Sequence, residues 1–126
     1  MSEVVRTELA GRVIAAAIDV HRHLGPGLLE SAYDRCMLFE LQRARISFVH
    51  QRILPVQYKQ ITIDCGFRVD LLIENSLIVE MKAVERVLPI HQAQILTYMK
   101  LLRAKQGLLI NFNVPRLVDG LKSFLL

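Results

Sequence analysis

The rhythm of the apolar residues changes at Ile46, and that change fixes most of what this chain can fold into. Before it, apolar positions step by threes and fours; after it, they gather into short β-branched runs. Over residues 4–22, Val5, Leu9, Val13, Ile14, Ala17, Ile18 and His21 trace one stripe, the mark of an amphipathic helix. Leu24-Gly25-Pro26-Gly27 ends it, because glycine reaches positive φ and proline cannot continue the ladder. A second helix is expected over 28–45, with Leu29, Ala32, Tyr33, Cys36, Met37, Phe39, Glu40 and Leu41 on a broad buried face.

Residues 48–58, 61–73 and 77–84 read as three sequential antiparallel strands, turning at Lys59-Gln60 and at Glu74-Asn75-Ser76. Pro89 introduces a helix over 90–105, with Ile95, Leu96, Met99 and Leu102 inward and Gly107 as its stop. Residues 108–113 form a nearly all-apolar run, the pattern of a strand buried on both faces. After Pro115, residues 117–126 are read as a last strand. The order α-α-β-β-β-α-β, with that last β, predicts an α/β fold: a mixed sheet flanked by helices. With 126 residues and no repeat or linker, one domain over 1–126 is expected.

A chain 52% hydrophobic and 22% charged builds a core and is not disordered. Its longest apolar stretches, 13–18 and 108–110, fall far short of the ~20 residues that span a bilayer. Met1-Ser2-Glu3 opens no signal peptide, and Cys36 and Cys65 read as two free thiols, so a cytoplasmic location is expected. A mean hydropathy of +0.33 is high for so short a chain, and with the Phe124-Leu125-Leu126 tail it suggests an interface, a homodimer or a partner protein. The net charge of +4 suits a polyanionic partner, although the basic residues are scattered. Six per cent aromatic content without Trp gives a single-strand stacking platform little support.

The chemistry concentrates in Gly66-Phe67-Arg68-Val69-Asp70-Leu71-Leu72-Ile73 and Leu77-Ile78-Val79-Glu80-Met81-Lys82. Side chains alternate along a strand, so Glu80 and Lys82 share a face. Two carboxylates from neighbouring strands can hold a hard cation such as Mg²⁺. A lysine beside them can orient or help deprotonate a water attacking a phosphodiester. The carboxylates meet only if Asp70 lies opposite Glu80, centred on Asn75. That requires a three-residue loop of Glu74, Asn75 and Ser76 or a compensating bulge, with Asn75 or Ser76 left-handed. A plain two-residue turn would separate them. By itself an Asp, nine residues, then Glu-x-Lys is met by many solvated strand faces, and spacing alone favours that reading.

Other segments change the balance. Gly27-Leu28-Leu29-Glu30-Ser31-Ala32-Tyr33 fits G-x-x-E-x-x-Y at a loop-to-helix junction, Gln94-Ile95-Leu96-Thr97-Tyr98 lies on the helix after the strands, and Gly107–Asn113 reads Gly-Leu-Leu-Ile-Asn-Phe-Asn. With Asp70, Glu80 and Lys82 these resemble the GxxExxY family of the PD-(D/E)XK nuclease superfamily, over residues 14–120. The resemblance implies a restriction-endonuclease-like αβββαβ core with an extra N-terminal helix, and Mg²⁺-dependent (Mn²⁺ as an alternative) hydrolysis of DNA or RNA. It further implies Asp70, Glu80 and the Met81 carbonyl as metal ligands, Glu30 as a ligand directly or through water, and Lys82 as the water-orienting lysine. Gln94 and Tyr98 would support the lysine or contact phosphate. The chain departs from the family pattern at Ala44, where many members have glycine, and at Lys122-Ser123-Phe124, where a more basic tail is expected.

Each of these residues also has a plainer role open to it. Glu30 can complement a helix dipole, Tyr33 can be a packed core tyrosine, Gln94 a surface amide and Tyr98 a core-edge residue. His21, His23 and His91 give no zinc pattern, and the serines have no His–Asp partners. Two other functions share the sequence signal: a non-catalytic binding or assembly module on this fold, and a metal-dependent hydrolase of a small phosphorylated substrate.

Overall fold

A computed structural model describes residues 7–126. Helix α1, Glu8–Leu24, begins where the Thr7 hydroxyl accepts the Ala10 amide at 3.1 Å and ends at Gly25, φ 66°. The part of this helix expected over 4–6 lies outside the described residues. Helix α2, Glu30–Arg43, starts two residues later than its periodicity suggested, and Arg45 takes the left-handed position after it, φ 57°.

The first correction concerns the strands. Two of the three expected long strands are broken, giving β1 (Phe48–Ile53), β2 (Val56–Tyr58), β3 (Ile61–Ile63), β4 (Arg68–Ile73) and β5 (Leu77–Lys82). Pro55 has no amide to give the sheet, and Gly66 turns with φ 77°, its amide held by Asp64 Oδ1 at 3.0 Å. The segment between leaves the sheet as a separate β2–β3 hairpin, closed at its base by Leu54 N–H donating to the Phe67 carbonyl.

The second correction concerns the next helix. Helix α3, Pro89–Leu102, stops at Arg103, which adopts the left-handed conformation at φ 55°. Gly107 lies inside β6 (Gln106–Asn111), where a Cβ would stand 2.7 Å from Met99 Sδ, so the glycine lets α3 sit close on the sheet. Every residue of β6 is buried, as its apolar run required. The final segment is only partly strand: a 3-10 turn, Leu117–Gly120, precedes β7, Leu121–Leu125.

The main sheet runs β1-β4-β5-β6-β7, with β5 and β6 parallel and the other neighbours antiparallel. The α3 crossover carries the chain between the two parallel strands. One core packs Val13, Ile14, Met37 and Leu41 of α1 and α2 on Leu71, Val79 and Ile110. The other packs Ile95 and Met99 of α3 on Leu72, Ile78 and Leu109. The architecture is therefore three helices about a mixed five-stranded sheet, α/β as expected, with α1 as the additional N-terminal helix. No described helix is long and apolar enough to cross a membrane.

Candidate functional site

The β4–β5 hairpin sets the site's geometry. Leu71 pairs with Val79, Leu72 with Ile78 and Ile73 with Leu77, so one further step sets Asp70 opposite Glu80. The turn reaches this register by an extra residue. Ser76 N–H donates to the Ile73 carbonyl around Glu74 and Asn75, which have φ of 47° and 56°. Ile73 nonetheless pairs with Leu77, leaving Ser76 unpaired as the compensating residue. Asn75 is left-handed as anticipated, joined by Glu74, while Ser76 is not.

At Asp70 the backbone ladder gives way to side chains. Asp70 N–H donates to Glu80 Oε1 at 3.0 Å, and Met81 N–H donates to Asp70 Oδ2 at 2.8 Å. On the other side, Gln51 of β1 has φ 54° within the strand, and its amide donates to Asp70 Oδ1 at 3.5 Å. Facing changes here too: Val69 joins the α3 core and Leu71 the α1–α2 core, although residues two apart share a face in a regular strand. Three adjacent strands thus open in one row, and their polar groups turn to one another.

The electrostatics follow from burial. Glu80 is 7% exposed, and desolvation, then the charge of Asp70, pushes its pKa up to about 8. Burial likewise raises Asp70, opposed by the Met81 amide bond and by Lys82. Glu30 lies at the first turn of α2; although much of the residue is exposed, partial burial of its carboxyl and the nearby Asp70 raise its pKa. Lys82, half-buried, acts electrostatically on Glu30, Asp70 and Glu80 together. Tyr98 is buried in the α3 core; desolvation and then Glu80 raise its pKa, while a bond from the Gln94 side chain lowers it. Asp70, Glu80, Lys82, Glu30, Gln94 and Tyr98 therefore converge on one region. Met81 supplies its amide to Asp70 and its side chain to the core.

The G-x-x-E-x-x-Y segment acquires a physical meaning. The Tyr33 hydroxyl donates to the Gly25 carbonyl at 2.6 Å and accepts the Leu28 amide at 3.2 Å, and its ring stacks on Phe112 at 4.6 Å. Gly27, φ 99°, gives its amide to Asn113 Oδ1 at 3.0 Å. Tyr33 is thus the core tyrosine of the plainer reading, and it fixes the loop that delivers Glu30. His91 accepts the Leu88 amide at the start of α3, and His21 Nε2 contacts the Val114 carbonyl at 2.8 Å; neither joins the site.

Four residues were not anticipated. Asp34 acts on Asp70 and Glu30 and holds His50 of β1 at 2.9 Å. Its position, four after Glu30 on one helix face, was the available signal. Gln51 had none, since nothing local marks a left-handed residue inside a β-branched run. Asn111, 3% exposed and paired with Lys82 in the parallel ladder, bonds both the amide and the carbonyl of Val84 and so anchors the exit of β5.

The donor set suits a hard divalent cation. Among the described residues neither Asp70 nor Glu80 has a salt-bridge partner, so two half-buried to buried carboxylates lie side by side without a close cation. Such an arrangement is unfavourable until positive charge arrives, and oxygen donors favour Mg²⁺ or Mn²⁺ over softer ions. Among the described residues no three His, Cys, Asp or Glu side chains form a ready-made cage, so Glu30 lies within electrostatic reach rather than alongside the pair. Two clefts of about 480 and 420 Å³ lie between α1 and α2 and are lined by neither carboxylate.

Comparison with curated proteins and with solved structures returns no match. A family profile described as the PD-(D/E)XK nuclease superfamily matches residues 7–124, nearly the whole of the described chain. The helix–sheet order agrees with the restriction-endonuclease-like fold of that group. The chain is a member of the PD-(D/E)XK nuclease superfamily.

Proposed function

We propose that this chain, as one domain over residues 1–126, is a Mg²⁺-dependent nuclease of the GxxExxY type acting on phosphodiester bonds of DNA or RNA, with Mn²⁺ able to replace Mg²⁺. The observation that carries this is the opposed Asp70–Glu80 pair, whose carboxylates take over the backbone ladder and lack a salt-bridge partner among the described residues. Asp70, Glu80 and the Met81 carbonyl would hold the cation, with Glu30 joining directly or through water. When bound, the cation supplies Lewis-acid stabilisation of charge on the phosphate oxygens.

The remaining work falls to side chains. Lys82 shares its strand face with Glu80, where its Nζ would orient the attacking water or help to deprotonate it. Gln94 bonds Tyr98 and fixes the polar edge of α3 against Glu80, where both can support the lysine or meet phosphate. Asn111 keeps β5 and the segment beyond it in place under Lys82. A cytoplasmic location and a homodimer belong to the same proposal, the latter drawing on exposed Leu125 of the edge strand β7 and Leu126 just beyond it. The absence of a three-side-chain cage among the described residues favours, as a second reading, a non-catalytic module on the nuclease fold.

Calorimetric titration of Mg²⁺ and Mn²⁺ into wild type, Asp70→Ala and Glu80→Ala, followed by incubation with labelled single- and double-stranded DNA and RNA, tests the proposal. Binding and cleavage present in wild type and lost in both variants are expected. No specific cation binding at millimolar concentration would leave the non-catalytic module.

A further inference from the structure

The β2–β3 hairpin breaks a rule of folding economy. Its register pairs Val56 with Ile63 and Tyr58 with Ile61, which puts four apolar side chains on one face of a two-stranded sheet. Tyr58 and Ile61 are each 56% exposed, and Phe67 at the base is 43% exposed. None of them belongs to either core. A two-stranded hairpin is marginal in water unless its apolar face is covered. The opposite face, by contrast, is satisfied: the Thr62 hydroxyl donates to Gln57 Oε1 at 2.6 Å.

Position and charge identify the cover. The hairpin leaves the sheet beyond the Ile53–Arg68 pair, two positions along β4 from Asp70, so it rises from the site's end of the sheet. Arg52 and Arg68 stand at its base and Lys59 at its tip, with the Lys59 ammonium 5.3 Å from the centre of the Tyr58 ring. Against these three cations, residues 50–69 contain one carboxylate, Asp64. The centre itself gathers the carboxyls of Glu30, Asp34, Asp70 and Glu80 around Lys82, so before a cation binds it offers a polyanion little attraction. A substrate reaching it needs a basic surface beside it.

We infer that this hairpin and Phe67 form an arm that holds an unpaired nucleic-acid strand, its bases against the Tyr58–Ile61 face and its phosphates at Arg52, Lys59 and Arg68. Bases in a duplex are stacked on one another and offer no free face, whereas an apolar and aromatic surface bordered by cations is what unstacked bases and their backbone fit. The chain's low aromatic content is no obstacle, because one exposed aromatic, Tyr58, stands on the hairpin and another, Phe67, at its base. The arm gives the proposed nuclease a single-stranded or frayed substrate, and in that sense rests on the nuclease reading.

Fluorescence anisotropy in EDTA, with a labelled strand of roughly 20 nucleotides, longer than the ~4–16 that one strand-binding fold covers, tests it against the blunt duplex of the same sequence. The single strand should bind at least about tenfold more tightly than the duplex, and Tyr58→Ala with Ile61→Ser should lose about tenfold in affinity. Lys59→Ala, at an exposed turn, should flatten the salt dependence by about 0.7 in log–log slope, one phosphate's worth. Equal binding of strand and duplex, or folded arm variants with wild-type affinity and slope, would overturn the arm. So would a wild-type dimer in sedimentation that dissociates in the double variant, which would give this face to a second copy. Asp70→Ala separates the two claims: with one carboxylate fewer it should bind the strand at least as tightly as wild type and keep the preference for strand over duplex, while losing cleavage. Arm-dependent binding without cleavage under any divalent cation would sink the nuclease reading alone, and cleavage with arm-independent binding would sink the arm alone.

Discussion

Within the β4–β5 hairpin, two stretches only a residue apart do opposite things. From Leu71 to Ile73 the strand pairs in regular register with Val79, Ile78 and Leu77, every side chain buried in one core or the other. At Asp70 and Glu80 the pairing passes to carboxylates that burial keeps from ionising easily. The first stretch lowers the free energy of the fold. The second raises it, and is held in place because its neighbours are so well packed. Stability and chemistry are thus separable along a single strand, and substitutions on either side of residue 70/71 should have opposite signatures.

The largest effect belongs to Asp70→Asn. The amide retains an oxygen for the Met81 N–H but removes a charge, so cleavage should fall by roughly a thousandfold or more, the several kcal/mol a bound cation contributes. The melting temperature in EDTA should hold or rise. A variant that melts well below wild type would show that Asp70 is structural and break the contrast. One residue on, Leu71→Ala should do the reverse. Leu71 is fully buried, and its truncation should cost about 2–5 kcal/mol in urea unfolding. The surviving folded fraction should bind Mg²⁺ as wild type does.

The pH dependence should sharpen the comparison at a smaller scale. Glu80 ionises near 8 in the folded chain against an ordinary 4.5, because of burial and then Asp70. Between those values the folded state holds more protons than the unfolded state. Stability therefore falls as pH rises from about 4.5 to 8, and levels off above. In EDTA the fall should be at least about 1 kcal/mol, the worth of one pKa unit. Asp70, raised in the same direction, adds to it. Glu80→Gln should flatten the slope, and Mg²⁺ should offset it at pH 8. A metal-free protein more stable at pH 8 than at pH 5 would show the pair to be compensated by charge rather than desolvated.

How much of this was legible in the sequence follows from the range of the forces involved. Helix stripes, the all-buried β6 and the Asp70–Glu80 register are written in local pattern and turn chemistry, and each reads correctly from residues close in the chain. Pro55 and Gly66 are visible breakers, yet the β-branched runs around them outweigh them in the sequence; the Lys59-Gln60 turn reads correctly, while the two arms of the hairpin read as continuations of β1 and β4. Gly107 has the look of a helix stop in the sequence because its true constraint, the approach of Met99 and Ile95, is a tertiary contact. The convergence of Glu30, Lys82, Gln94 and Tyr98 came from resemblance, since no spacing rule links α2, β5 and α3. Asp34 and His50 meet only once α2 lies over β1, a contact between residues 16 apart.

Gln51 gives the finest test. It sits left-handed in mid-strand, and such a conformation in a non-glycine residue costs on the order of 1 kcal/mol. Gln51→Gly removes that strain but adds unfolded-state entropy of similar size, so stability should change by less than about 1 kcal/mol. What the glycine loses is the amide that donates to Asp70 Oδ1. If that amide orients the carboxylate, cleavage should drop severalfold while Mg²⁺ affinity shifts with it, and Gln51→Asn, which tolerates the left-handed region, should recover part of the loss. Gln51→Val should act more strongly, because a β-branched residue favours regular strand geometry and would draw the opened row toward closure. A stabilised Gln51→Val with unchanged cleavage would mean that the opening at Asp70 is incidental to the chemistry. A stabilised variant that has lost cation binding would tie the cost of the open row directly to what the site does.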